Sequence, residues 1–359
     1  MKNTKKRPLR YSILIFIIIT SIIMFNCSET SKIFDSQTPD KTISTLEYIQ
    51  LNGVKQCLLI RSYNTDNPII LYIHGGPGTS ELPLIRKYNS ELEKHFTVVY
   101  WEQRGTGKSF NKNIPDSTYT IDQFVKDGFE LSKIIIERFH QDKIYIMGHS
   151  WGTIISTKLA INHPKLYYAY IGIGQVVDMK RGEELSYKFA LQKAIDTGNK
   201  KAIKALRQIN APTYLTINNN ENWYKQLKTE RKWVTYFGGV IYNQKDYSQL
   251  TKIYLKSSEY SLFDMIRFAR GSVFSLKKLW PEIMKINLMK KYIEFKIPVY
   301  LIQGKHDHNN PTELVYEYYN KIIVPEKKLF IFDKSAHNPN FEENIKFNNL
   351  IEKIINKNE

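Results

Sequence analysis

Between Lys143 and Gly152 the chain reads Lys-Ile-Tyr-Ile-Met-Gly-His-Ser-Trp-Gly, a β-branched stretch that stops abruptly at Gly148-His149-Ser150-Trp151-Gly152. Ile144 to Met147 predict a strand. Thr153 to Ala160, apolar at helical spacing and closing before Pro164, predict a helix. A G-x-S-x-G held between a strand and a helix leaves few arrangements open. A serine at the tip of so sharp a turn takes a strained backbone conformation, and only glycine beside it lets neighbouring backbone pass close by. The Ser150 hydroxyl is then lifted out of the sheet, over the positive end of the following helix. A chance G-x-S-x-G in a loop would lack these flanks.

A serine hydroxyl is a poor nucleophile until a base takes its proton, so the turn predicts an acid and then a histidine further along. After the apolar run 298–303 comes Gly304-Lys305-His306-Asp307, and after the run 328–333 comes Lys334-Ser335-Ala336-His337. Both fall just beyond a predicted strand end, where open α/β sheets build their sites. Asp307 would orient His337, and His337 would take the proton from Ser150. Asp178 is a second candidate acid, and His306 and His308 are second candidate bases. The two histidines flank the proposed acid, which makes it hard for them to reach back to Ser150.

The stretch Pro68 to Gly78 is another strand running into glycine, ending His74-Gly75-Gly76-Pro77-Gly78. Acyl transfer develops negative charge on a carbonyl oxygen, which preset backbone N–H groups stabilise. Gly75 and Gly76 permit that close approach, and the N–H of Trp151, the residue after the nucleophile, supplies the other donor. His74 reads as a structural imidazole bonded to loop backbone.

These motifs, with Gln103-Arg104-Gly105-Thr106-Gly107-Lys108-Ser109, resemble the α/β-hydrolase superfamily and, within it, the proline iminopeptidase-like branch. The resemblance covers residues 44–176 and 293–359 and implies a mostly parallel sheet flanked by helices, with a mainly helical lid inserted at 177–292. It implies a Ser150–Asp307–His337 triad, an oxyanion hole at Gly75, Gly76 and Trp151, and no cofactor or metal. The implied activity is release of an N-terminal residue, with Pro first, from short peptides through an acyl-enzyme. A carboxylesterase or other small-ester or amide hydrolase on the same triad is the alternative. The sequence departs from the branch at Glu102, where Asp usually precedes Gln-Arg-Gly. The middle segment also lacks the branch's acidic motif for the substrate amine. An ammonium entering a pocket needs a carboxylate there. Glu230, in an aromatic-rich stretch, and Glu183 or Glu184, near the lid entrance, are the candidates, set against a plain reading of each as a solvated surface charge.

Residues 1–10 are basic, and the 15 residues from Tyr11 to Phe25 are almost wholly apolar, short of the ~20 of a comfortable membrane span. Cys27 follows, then polar residues. Residues 1–27 therefore read as a signal peptide or anchor with Cys27 a lipidation candidate, 28–43 as a tether, and the enzyme as held at the extracytoplasmic face of the cell membrane. Cys57, on an apolar strand, reads as core packing. Gly107-Lys108-Ser109 follows a strand, but Glu102 stands where a phosphate-binding loop needs glycine, which argues against a nucleotide. The net charge of +17 is concentrated: residues 177–292 hold 22 Lys/Arg against 10 Asp/Glu, and residues 1–10 hold five more cations. No nucleic-acid recognition motif accompanies the charge, so nucleic acid is not an expected partner.

Overall fold

The computed structural model describes residues 30–33, 39–209 and 222–356. Its frame is one eight-stranded sheet: β1 (Ile43–Leu51), β2 (Val54–Ser62), β3 (Ile69–Ile73), β4 (Thr97–Glu102), β5 (Ile144–His149), β6 (Tyr167–Ile173), β7 (Val299–Gly304) and β8 (Lys327–Phe332). The spatial order is β1-β2-β4-β3-β5-β6-β7-β8. β2 runs antiparallel to both β1 and β4, and every later pairing is parallel. The strand read from Ile144 and its neighbours is therefore central, with β3 on one side and β6 on the other.

Strand alternation divides the core between the two faces. Leu71, Ile73, Ile144 and Ile146 pack with Phe124 and Leu131 of α2 (Ile121–Arg138) and with Ile154 and Leu159 of α3 (Trp151–Asn162). Ile70, Tyr72, Tyr145 and Met147 point the other way, onto Leu84 of α1 (Leu82–Tyr88) and Phe347 and Ile351 of α12 (Asn344–Asn356). Thr120 caps α2 by accepting from the Gln123 N–H at 3.2 Å. The predicted helix at 153–160 is thus present, within α3. Cys57 is buried in β2, as a core residue should be.

The chain between β6 and β7 is helical: α4 (Met179–Asp196), α5 (Lys200–Ile209), α6 (Trp223–Tyr236), α7 (Ser248–Lys256), α8 (Leu262–Ile283) and α9 (Leu288–Lys291). Tyr187, Ala190, Ala194, Leu206, Trp233 and Val234 give α4, α5 and α6 a small core of their own. α8 is different. Its Leu279, Trp280 and Ile283 join the main core, and its Ser275 hydroxyl donates to the Gly105 carbonyl at 3.1 Å. The lid is therefore not a wholly separate unit, because its longest helix is packed into the hydrolase body. Gly107-Lys108-Ser109 serves this docking. Lys108 Nζ donates to Asp264 of α8 at 2.6 Å, while its N–H donates to Glu102 at 2.7 Å. Glu102 is buried and also accepts from the Tyr260 hydroxyl, so the carboxylate that departs from the family pattern ties β4 to the lid.

After β7 come α10 (Thr312–Lys321), β8, the short α11 (Pro339–Glu342) and α12. Among the described residues no helix is long and apolar enough to cross a membrane. The apolar run at 11–25, Cys27 and part of the tether lie outside the described residues.

Candidate active site

Ser150 has φ 51° and ψ −120°, in the left-handed half of backbone space that a side chain rarely enters. The cause is the tightness of the turn. A methyl at Gly152 would collide with the Ile73 carbonyl, and one at Gly148 with Ser156 Oγ. Ser150 sits at the carboxyl end of β5, with its N–H bonded to the Ile173 carbonyl at 2.9 Å. The loops after β7 and β8 bring the other expected residues to it. Ser150 Oγ is 2.8 Å from His337 Nε2, and His337 Nδ1 is 2.8 Å from Asp307 Oδ2. The N–H groups of Asn309 and Asn310 donate to Asp307 Oδ1 at 2.9 and 2.8 Å, and Gln303 Nε2 donates to Oδ2 at 2.9 Å. A carboxylate satisfied in this way stays put and aims its remaining lone pair at the imidazole.

The alternatives lie elsewhere. Asp178 caps α4 by accepting from the Arg181 N–H and holds Asn287. His306 stacks on Tyr242 and bonds the Asp333 carbonyl, and His308 stacks on Phe189. His74 is structural: Nδ1 donates to the Gly75 carbonyl at 2.7 Å and Nε2 accepts from the Gln103 N–H at 3.2 Å. Burial lowers its pKa, in keeping with a neutral ring.

Gly75 faces Ser150 so closely that a methyl there would lie 3.2 Å from its Cβ. Gly76 and Trp151 line a cavity of about 290 Å³ over Ser150, with Ile154, Val176, Met179, Leu227, Trp280 and Ile283 among its apolar walls. Trp151 is the first residue of α3, so its N–H has no partner within the helix. In the aromatic-rich stretch around Glu230, Tyr224 reaches this cavity, while Trp233 packs in the lid core.

Glu183 and Glu230 are not solvated surface charges. Both are buried, because α4 and α6 close over them, and both are bonded by Arg231, which borders the cavity. Among the described residues Glu183 Oε2 and Glu230 Oε1 have no hydrogen-bond partner. Burial pushes the Glu230 carboxyl up to about 8, with Arg231 pulling it down and Glu183 pushing it up.

Two acids escaped the sequence reading. Glu81 bonds His149 Nδ1 at 2.6 Å, and His149 Nε2 reaches the His337 carbonyl at 3.0 Å. Two acceptors for one ring call for an imidazolium. Burial opposes that charge, but Glu81 outweighs it and raises the His149 pKa. The Tyr72 hydroxyl donates to the second Glu81 oxygen at 2.9 Å. Glu342 receives the N–H groups on either side of His337, Ala336 at 3.1 Å and Asn338 at 2.9 Å, and that of Tyr242 in the lid. Only the placement of His149 inside the G-x-S-x-G signalled any of this.

Comparison with known proteins agrees with the geometry. A family model described as the alpha/beta hydrolase fold matches residues 68–344. The "Probable aminopeptidase YbaC" of Bacillus subtilis (strain 168) is 33% identical over 313 residues, 87% of this chain and 96% of that protein. This chain belongs to the α/β-hydrolase family, in its proline iminopeptidase-like branch. As a member of it the chain is a hydrolase of aminopeptidase-like type. The "Proline iminopeptidase" of Heyndrickxia coagulans is 25% identical over 276 residues, 76% of this chain and 85% of that one. The crystal structure of the Mycobacterium smegmatis proline iminopeptidase shares the fold, with a TM-score of 0.64 at 15% identity, over 88% of this α/β hydrolase and 98% of that chain.

Burial raises the Glu342 carboxyl to about 7, against the pull of its three backbone donors. The folded chain thus holds this proton more tightly than the unfolded chain does. The resulting stability is complete below the ordinary carboxyl range and is lost as pH rises through about 7. Glu230 acts in the same direction. The thermal midpoint should fall between pH 5 and pH 8, and Glu342→Gln should flatten the fall. Scanning fluorimetry at both pH values checks this, and a steeper fall in the variant contradicts it.

Proposed function

We propose that this α/β hydrolase is a serine aminopeptidase that releases one residue, with Pro first, from the amino end of short peptides. The observation that carries the proposal is the hydrogen-bonded chain Ser150–His337–Asp307 on the floor of an apolar cavity. In this reading His337 Nε2 takes the Ser150 proton as Oγ attacks the scissile carbonyl. The oxyanion gathers against the N–H groups of Trp151 and of Gly75 or Gly76. His337 then protonates the leaving amine, and water repeats the sequence on the acyl-enzyme. Asp307 holds the imidazole in the tautomer that leaves Nε2 free to accept. Because the three act as a unit, Ser150→Ala and His337→Ala should each lower kcat by roughly 10⁴-fold or more, with the double variant scarcely worse. Steady-state kinetics on an aminoacyl-arylamide test this. Full activity in Ser150→Ala would overturn the assignment.

Recognition of a free amino end is assigned to Glu183 and Glu230. Both are bonded to Arg231, which lines the cavity, and each keeps one buried oxygen without a donor among the described residues, which an ammonium would satisfy. Arg231 and Lys228 on that wall favour a second reading, hydrolysis of small esters or amides without a free amine. The two readings separate cleanly. With a peptidase, N-acetylation of a Pro- or Ala-arylamide should cut kcat/KM by roughly 10²-fold or more, since losing one partner of a buried ion pair costs ~3–5 kcal/mol. Glu230→Gln should reproduce much of that loss on the free amine alone. Equal turnover of free and acetylated amides, or a neutral aryl ester outrunning both, would favour the esterase.

The order of a basic stretch, an apolar run and Cys27 supports a further part of the proposal, retention at the extracytoplasmic face of the cell membrane through residues 1–27. Cys27→Ser should move the protein from the membrane to the soluble fraction, or block processing, if Cys27 is lipidated. Retention of the variant at unchanged mass would point to an uncleaved anchor.

A further inference from the structure

The described chain begins at Thr30, and its first residues are bound to the fold at one place. Arg61 Nη1 donates to Thr30 Oγ1 at 2.6 Å, Ser44 Oγ donates to the Ser31 carbonyl at 2.7 Å, and Arg86 Nη2 donates to Ser31 Oγ at 3.1 Å. Thr30 Oγ1 also lies 3.5 Å from Glu259, in the short connection between α7 and α8. Thr30, where the described residues begin, therefore lies beside the start of α8. What precedes it is the basic stretch and the apolar run at 11–25.

α8 presents three faces. One is buried in the core through Leu279 and Ile283, and Leu276, Trp280 and Ile283 reach the cavity over Ser150. A second, at Gly271 and Ser275, lies against Gly105 and Gly78. The third meets solvent yet is largely apolar: Leu262, Phe263, Ile266 and Val273 are 57, 56, 50 and 41% exposed, and Leu255 at the end of α7 is 65% exposed. Positions 262, 266 and 273 fall on one helical stripe. The cations Arg267 and Arg270 stand beside it. With Lys55, Lys108 and Lys112, and with Tyr48 and Phe110, they line a cavity of about 550 Å³. Asp264 is one nearby carboxylate, and it is engaged by Lys108 at 2.6 Å and by Arg267 at 3.6 Å. Five cations against two nearby carboxylates, Asp264 and the Glu102 that accepts from the Lys108 N–H, leave the cavity a positive balance.

An apolar stripe edged by Arg and Lys needs a partner that offers hydrocarbon and anions side by side. A soluble anion would fill the cavity and leave Phe263 and Ile266 wet. A second copy packed isologously would bring two basic clusters together. An anionic bilayer meets both needs, and in the sequence only residues 26–29 separate the apolar run at 11–25 from Thr30. We propose that the solvent face of α8, with the adjacent cationic cavity, docks on an anionic phospholipid bilayer, seating headgroup phosphates among Lys55, Lys112, Arg267 and Arg270 and the side chains of Leu262, Phe263 and Ile266 at the acyl boundary. The helix that walls the Ser150 cavity on one side then lies on the membrane with the other. This rests in part on the proposed retention through the N-terminus, so the experiment reads the two separately.

The full chain, carrying Cys27→Ser and Ile266→Cys with an environment-sensitive thiol dye, is mixed with brominated vesicles of phosphatidylcholine alone or with phosphatidylglycerol. The control carries the dye at Ile323→Cys, an exposed site just before β8, at the opposite edge of the sheet from β1. The dye at 266 should be quenched several-fold more on the phosphatidylglycerol vesicles, and the dye at 323 on neither. Arg267→Glu/Arg270→Glu should abolish the quenching while the protein still pellets with the vesicles. Protein that pellets with an unquenched dye at 266 overturns docking and leaves retention standing. Protein that neither pellets nor quenches overturns docking together with retention by an uncleaved anchor, since Cys27→Ser has already removed any lipid. Protection of Lys55 and Lys112 from acylation by inorganic phosphate, without quenching on vesicles, would make the cavity a small-anion site and overturn the bilayer.

Discussion

Everything at the working edge of the sheet depends on how closely α3 starts against β3. The Ile73 carbonyl occupies the space that a methyl at Gly152 would need, and Ser156 Oγ the space beside Gly148, so the turn closes only with glycine at both places. Closing it forces Ser150 to φ 51°, a conformation that costs of order 1–3 kcal/mol. The surrounding packing bears that cost. In return the hydroxyl stands clear of the sheet, over the first turn of α3, with its position set by backbone and not by a flexible side chain.

Asp307 and the ring of His337 survive burial at that edge because their polar atoms are answered. Asp307 takes two backbone N–H groups and the Gln303 amide as well as His337. Behind the histidine, Tyr72, Glu81 and His149 form a second chain that ends on the His337 carbonyl. The lid is drawn into the same network, since the Val240 carbonyl accepts the His337 N–H at 3.0 Å and Glu342 bonds both the lid and the histidine loop. The position of the proposed base and the position of the lid are thus one mechanical unit.

What could be read from the sequence was whatever local backbone chemistry dictates. The turn at Gly148–Gly152, the glycines at 75 and 76, and Asp307 and His337 just past their strands all follow from turns and strand ends, and the predicted helix at 153–160 follows from periodicity. Properties set by distant packing could not be read that way. Glu183 and Glu230 looked like surface charges because nothing nearby in the chain reveals that α4 and α6 close over them around Arg231. Glu102 looked like a departure, and it is an anchor for Tyr260, 158 positions away. The exposed apolar stripe of α8 was hidden for the opposite reason: a lid helix is expected to be apolar, and only the fold shows which of its faces is left uncovered.

The central claim is that Ser150 carries the acyl group during turnover. Acid quench of the protein within milliseconds of mixing with a Pro- or Ala-aryl ester, followed by peptide mass spectrometry, reads this directly. The account predicts the aminoacyl mass on the peptide containing Ser150, and its disappearance in Ser150→Ala. Aminoacyl mass on another side chain, or turnover with Ser150 unmodified at every time point, would contradict it.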